Sequence, residues 1–280
     1  GSSIFHPEAS RVAHMASGGK RGLAQSIFQL GGNAGTAIGP LLVALIVVPN
    51  TQYYIIWFVV VAIIGLMVLS RIALWYQNHL SLRATKKAVI DLPNLSQTKI
   101  VISVAILLVL IFSKFFYMAS MSSYFTFYLM DKFHVSVQDA QFHLFLFLMS
   151  VAAGTLLGGP LGDKFGRKYV IWFSVLGVAP FTLMLPFANL FWTGVLSMVI
   201  GVILSSAFPA ILVYAQELLP KKLGMVSGLF YGFAFGMGGL GSAILGYLAD
   251  KTSITYVYQI CAFLPLIGLI AYFLPNIKKK

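Results

Sequence analysis

Residues 7–54 read PEASRVAHMASGGKRGLAQSIFQLGGNAGTAIGPLLVALIVVPNTQYY, and residues 209–256 read PAILVYAQELLPKKLGMVSGLFYGFAFGMGGLGSAILGYLADKTSITY. Offset by 202, the two stretches align without a gap. Pro7 falls on Pro209, Lys20 on Lys222, Gly22 on Gly224, Phe28 on Phe230, Gly39 on Gly241 and Tyr54 on Tyr256. The polar interruption Pro49-Asn50-Thr51-Gln52 stands beside Asp250-Lys251-Thr252-Ser253. The register of helix ends and turns carries more weight than these identities. A repeat this long, built from apolar segments, points to a membrane protein made of two homologous bundles. If the second copy begins near Ile100, the first begins about 100 residues ahead of Gly1. Gly1 is then expected late in the fourth helix of an N-terminally truncated first half.

Composition agrees. Hydrophobic residues make up 59% of the 280, and charged ones only 9%, against about 25% in a soluble domain. Mean hydropathy is +0.89, and the apolar runs exceed the ~20 residues needed to cross a bilayer. The chain is therefore read as an all-α integral membrane protein, with the lipid bilayer as its surroundings.

The net charge of +12 reports topology rather than a nucleic-acid partner. Helices read alternately through the membrane place Arg11, Lys20, Arg21, Arg71, Arg83, Lys86, Lys87, Lys99, Lys164, Arg167, Lys168, Lys221, Lys222 and Lys278 to Lys280 on one side. Lys132 and Lys251 lie on the other, and Lys114 lies within a span. The positive-inside rule makes the basic loops and the C-terminus of this multi-pass protein cytoplasmic. Cys261 is the single cysteine, which excludes an internal disulfide and a cysteine-cluster metal site. The start has no cleavable signal pattern and no Met, as expected of a segment cut from a longer protein.

Eight complete spans are expected, at 22–48, 53–76, 99–130, 137–159, 169–188, 190–215, 224–249 and 254–275, after a helical tail from Gly1 to His14. They divide the chain into four parts. Residues 1–76 are the remnant of an N-terminal bundle (the end of its helix 4, then helices 5 and 6). Residues 77–98 form a cytoplasmic linker, residues 99–275 a complete C-terminal six-helix bundle, and residues 276–280 a basic cytoplasmic tail. Two helices and a stub cannot bury the polar face of a six-helix bundle. The missing N-terminal helices of the same protein are thus an expected partner. Two spans are rich in small residues, 31–40 and the stretch holding Gly236, Gly238, Gly239, Gly241 and Gly246. In lipid such stripes allow close helix contact, and Pro40 would assist a bend.

Lys114 is the main candidate for function. A lysine near mid-membrane costs about 2.5–3.5 kcal/mol on insertion scales, and Ser113, Tyr117, Ser120, Ser123, Tyr124 and Tyr128 surround it at helical spacing. That face is expected to line a cavity where the ammonium binds an anionic substrate. Snorkelling to an interface, or pairing with a helix-end carbonyl, is the structural alternative. The substrate-binding set is Lys114, Tyr117, Ser120 and Tyr124, with Gln25, Gln29 and Asn33 from the first complete span. His6 and Glu8 can exchange protons near a membrane cavity. Glu8 and Arg11 can pair three residues apart. His143, beside Gln141, is a further proton-coupling candidate. No nucleotide-binding glycine loop, zinc spacing or serine elbow is present, so neither an enzyme, a cofactor nor a metal is expected. A lone intramembrane lysine could also carry a retinal Schiff base, but eight spans and a repeat do not suit a seven-helix pocket.

The segment Gly158-Gly159-Pro160-Leu161-Gly162-Asp163-Lys164-Phe165-Gly166-Arg167-Lys168 reads as a tight cytoplasmic loop. It resembles the G-x-L-x-D-x-x-G-R-[RK] gating loop of the major facilitator superfamily, with Gly159, Asp163, Gly166, Arg167 and Lys168 as its members here. Gly35-Thr36-Ala37-Ile38-Gly39-Pro40 resembles the G-x-x-x-G-P motif of the superfamily's antiporters through Gly35, Gly39 and Pro40. Val43-Ala44 stand where a further glycine pair is usual. The opening Gly1 to Arg11, followed by Gly19 to Ser26, is similar to the fosmidomycin-resistance branch, and the likeness runs over all 280 residues. The resemblance implies the major facilitator fold, here with an incomplete first six-helix bundle and a complete second one. It also implies a proton-coupled secondary active exporter of a small, fosmidomycin-like anionic drug, working by alternating access. An uptake permease for an organic anion or sugar is the alternative, because fold does not set substrate or direction. The membrane arginine that many of these antiporters carry on the fourth helix would precede Gly1.

Overall fold

The computed structural model describes residues 2–42, 46, 51–83 and 95–276, and every secondary-structure element among them is helical. In order these are α1 (Ser2–Ala16), α2 (Arg21–Leu42), a 3-10 turn (Gln52–Trp57), α3 (Phe58–Arg83), α4 (Gln97–Phe133) and α5 (Val137–Phe165). Then come α6 (Arg167–Leu176), α7 (Ala179–Met184), a 3-10 turn (Leu185–Phe187), α8 (Leu190–Ser205), α9 (Ala207–Leu218), a 3-10 turn (Pro220–Lys222), α10 (Leu223–Lys251), α11 (Ile254–Cys261) and a 3-10 helix (Leu264–Phe273). Seven helical segments among the described residues are long and apolar enough to cross a membrane. The end of the expected 22–48 span lies outside the described residues, apart from Ile46. Helix α3 runs on to Arg83, past the expected boundary at 76, and most of the linker beyond it also lies outside them.

Helix starts follow the sequence closely because capping is local. Ser96 accepts from the Lys99 N–H, Ser136 from Asp139, Asn189 from Trp192 and Ser253 from Tyr256, each at its own helix N-terminus. Helix α4 ends on His134 in the left-handed region, φ 53°. The expected loop at 158–168 is instead helical: α5 continues through Gly158-Gly159-Pro160 to Phe165. The chain then turns on Gly166 alone, φ 97°, before α6 begins at Arg167. That φ favours glycine. The expected spans at 169–188, 190–215 and 254–275 are each broken, at 177–178, at Ser206 and at 262–263.

The chain forms two compact units, Gly1–Ala34 with Leu92–Lys280, and Gly35–Asp91, so the division falls inside α2. In the first unit α4 packs on α5, α10, α11 and the final 3-10 helix, α5 packs on α8, and α1 packs on α10. Leu107, Leu110 and Ile111 of α4 enter one buried apolar cluster with Ile171, Ile211 and Phe230. Met121, Phe125 and Leu129, further along the same helix, enter a second with Phe147, Ile200 and Tyr258. In lipid this interior gains little from the hydrophobic effect, so close packing and satisfied polar groups hold the helices together. The second unit contains α3, whose apolar side chains are exposed all round, Val61, Leu66 and Met67 among them.

Candidate functional site

Lys114 lies well inside α4 and is 4% exposed. Its Nζ donates to the Ser205 carbonyl at 3.4 Å, and it lies 5.5 Å from the Phe115 ring centroid and 5.3 Å from that of Phe208. Among the described residues no carboxylate pairs with it. The carbonyl contact expected of the structural alternative is therefore present. One long neutral bond and two ring faces nevertheless leave the ammonium charge without a counter-ion.

The Phe208 ring continues from Lys114 to Tyr231 of α10, centroids 5.3 Å apart. Tyr231 in turn meets His6 at 5.4 Å and Phe235 at 6.0 Å. Gln25 Nε2 donates to the Tyr231 hydroxyl at 2.9 Å. Gln29, one turn on from Gln25, also approaches the Tyr231 hydroxyl, while its buried Nε2 makes no hydrogen bond of normal geometry. The structure thus brings Lys114, Gln25, Gln29 and His6 to one aromatic wall. Phe208 and Tyr231 form that wall, and the sequence reading omitted both. The repeat held a usable signal, since Tyr231 is the counterpart of Gln29 at the offset of 202.

The other proposed substrate ligands have partners within the bundle. Tyr117 and Ser120 are buried rather than lining open space, Tyr117 in the Phe125, Tyr128 and Tyr258 cluster. Ser120 Oγ donates to the Tyr117 carbonyl, and the Ser120 carbonyl accepts from Tyr258 Oη at 2.9 Å. Tyr124 Oη donates to the Ser242 carbonyl at 2.6 Å, which ties α4 to α10. Asn33 Nδ2 donates to Thr155 Oγ1 at 2.8 Å, which ties α2 to α5. These bonds follow from the need to satisfy polar groups inside a membrane bundle.

Of the proton-coupling candidates, Glu8 pairs with Arg11 at 3.4 Å on an exposed face, as the spacing predicts. His6 sits among the rings of Phe5, Phe28, Tyr231 and Phe235. His143 Nδ1 lies 2.8 Å from the Asp139 carbonyl of its own helix. His14, overlooked in the sequence, lies with Nδ1 3.1 Å from Gln216 Oε1. An amide oxygen only accepts, so Nδ1 carries the hydrogen here. Gln216 Nε2 donates to Ser227 Oγ at 3.0 Å and to Ser10 Oγ at 3.3 Å, and Ser10 Oγ donates to Gln25 Oε1 at 3.1 Å. Ser10, Gln25, Gln216 and Ser227 are all buried. They form a hydrogen-bonded polar plug joining α1 and α2 to α9 and α10.

Beside the plug lies an ionic chain. Asp163 accepts from the Gly22 and Leu23 N–H groups at 3.3 and 3.1 Å, capping the start of α2 from another helix. It also pairs with Arg167 at 2.9 Å, Arg167 with Glu217 at 3.2 Å, and Glu217 with Arg21 at 3.7 Å. The Gly159 N–H donates to Ser26 Oγ at 2.8 Å, and a Cβ on either Gly22 or Gly159 would run into the other's carbonyl. Lys168 Nζ reaches the Tyr272 carbonyl at 2.8 Å. The motif residues Gly159, Asp163 and Arg167 thus join α5 and α6 to α2 and α9, and Gly166 turns the chain between α5 and α6. Gly35, Gly39 and Pro40 all lie within α2, in the second unit.

The sequence profile of the Major Facilitator Superfamily matches residues 1–131 and 106–280. The chain is 63% identical over 281 residues to the Fosmidomycin resistance protein of Escherichia coli (strain K12), covering 100% of this chain and 69% of that one. It is 48% identical over 283 residues to the MFS-type transporter YfnC of Bacillus subtilis (strain 168), with 100% and 69% covered. Among solved structures it is similar to the Major Facilitator Superfamily transporter FucP in the outward conformation. The TM-score is 0.68 at 16% identity, covering 98% of this chain and 72% of that one, a likeness that carries the fold alone. The chain therefore belongs to the Major Facilitator Superfamily, in its fosmidomycin-resistance branch, and is a transporter rather than an enzyme.

Proposed function

We propose that this transporter exports a small phosphonate-class anion in exchange for protons, by alternating access. The observation that carries the reading is Lys114, a buried ammonium with no carboxylate partner among the described residues. An anionic substrate would supply the missing counter-charge, and the Gln29 amide, at the Tyr231 end of the aromatic wall, would supply a hydrogen-bond donor. The name of the E. coli relative makes fosmidomycin the first compound to try. Tyr117, Ser120, Tyr124 and Asn33 hold the helices that carry the site. Protons exchange through His6 and Glu8, with His143 as an auxiliary group. Residues 1–76 act as part of a first bundle and 99–275 as a second, rocking against each other in a bacterial inner membrane with the basic loops cytoplasmic. The polar plug and the ionic chain beside it open and close with that motion.

Inverted membrane vesicles carrying the protein test this. With a proton gradient imposed, added fosmidomycin is expected to collapse the gradient partly, and Lys114→Ala is expected to abolish the response. No response from folded protein would sink the antiport reading and favour a permease for another organic anion, which a counterflow assay would detect.

A further inference from the structure

The carbonyl that holds Lys114 is unusual. Ser205 is the last residue of α8, and α9 starts two residues later at Ala207. Four residues beyond Ser205 stands Pro209, inside α9. Proline has no N–H, so it cannot make the helical bond back to the Ser205 carbonyl. Inside a membrane bundle an open backbone carbonyl needs another donor. Lys114 Nζ, from a different helix, provides it at 3.4 Å. The distance is long for a charge-assisted bond, which is usually 2.7–2.9 Å. The same ammonium faces the ring of Phe208, the residue immediately before Pro209. The break is tightly enclosed as well: a Cβ on Gly158 would meet the Ser206 backbone, and Ser206 Oγ is bonded to Ser174 Oγ.

We infer that Lys114 is a shared ligand. It braces the Ser205 carbonyl when the site is empty and gives that contact up to the substrate anion when the site is loaded, and Pro209 is the positioning residue that keeps the carbonyl open. This rests on the proposed role of Lys114 as the anion anchor. An anionic oxygen binds an ammonium more strongly than a neutral carbonyl does, so a bound anion outcompetes Ser205. The brace between α4 and the α8–α9 break is then withdrawn, and the span from Leu190 to Leu218 is released at Ser206. Substrate binding is thereby linked to the shape of one helix through a single side chain. By linkage, whatever satisfies the carbonyl independently must raise affinity for the anion.

Pro209→Ala tests this, because it restores an N–H positioned for the Ser205 carbonyl. In vesicle transport of fosmidomycin the variant is expected to show a KM lower by roughly fivefold or more. Its kcat is expected to fall as well, because the break no longer responds to the ligand. A merely structural proline would change stability without that opposed pattern of tighter binding and slower turnover. In the wild type, hydrogen–deuterium exchange over residues 205–212 is expected to quicken when fosmidomycin is added. Unchanged KM and kcat in Pro209→Ala, or unchanged exchange in the wild type, would overturn the shared-ligand inference alone. Lys114→Gln reports on the underlying site. A wild-type KM in that variant would overturn the anion-anchor reading, and the inference with it.

Discussion

His14 and Gln216 stand 202 residues apart, the spacing of the internal repeat, and they hydrogen-bond to each other, Nδ1 to Oε1, at 3.1 Å. A residue thus meets its own repeat counterpart, as happens at the axis of a two-fold contact. Gln25 and Ser227, another pair at the same offset, belong to the same network. The polar plug therefore lies where the two copies of the repeat meet face to face. Such a contact can part and re-form as a unit, since each side presents groups matched to the other.

Gln216→Leu should strip that network. It would remove the amide that Ser10, Ser227 and His14 share, at about 1–3 kcal/mol in all, since Ser10 keeps its bond to Gln25 and its contact with Ser227. A double-mutant cycle with His14→Leu is expected to give a coupling energy of about 0.5–3 kcal/mol, read from thermal unfolding in detergent. Strict additivity would show that the bond carries nothing.

Asp163→Ala removes a helix cap and a salt bridge at once, and leaves Arg167, 7% exposed in its side chain, short of one partner. Loss of one member of a buried pair costs about 3–5 kcal/mol, although Glu217 remains beside Arg167 and softens the effect. Glu8→Ala breaks only the exposed Arg11 pair and should cost less than about 1 kcal/mol. Equal losses in melting temperature for the two variants would contradict the assigned geometry.

Gly22→Ala is expected to abolish folding or expression, because the added methyl meets the Gly159 carbonyl, backbone that cannot swing aside. The repeat counterpart Gly224 has open space around it. Gly224→Ala should therefore be tolerated, and even gain about 0.5–1 kcal/mol from helix propensity. Membrane-fraction yields of the two variants decide the matter.

Tyr124→Phe loses the bond to the Ser242 carbonyl and should cost about 1 kcal/mol of stability while leaving the transport KM unchanged. Lys114→Met, which keeps length and suits the aromatic surroundings, should remain folded and lose substrate-dependent proton flux. A raised KM in Tyr124→Phe would return that tyrosine to the substrate site.

Much of this protein was legible in one dimension. Hydropathy marked the apolar spans and the 202-residue offset raised the expectation of two bundles, while the segment 158–168 and the opening Gly1 to Arg11 carried the resemblance to the family, because all of these are properties of chain order. Lys114 could be singled out because an isolated charge in an apolar run is costly wherever the run is placed. Only the tertiary structure decided which polar atoms are already satisfied. It gave Tyr124 and Asn33 partners on other helices, gave His14 a partner from the other repeat, and brought Phe208 to the lysine with Tyr231 behind it. It also kept Gly158-Gly159-Pro160 helical, where the sequence alone suggested a loop. The physical reason is common to all of these. In a membrane interior the partner of a polar group must be another part of the protein, and that partner comes from distant sequence.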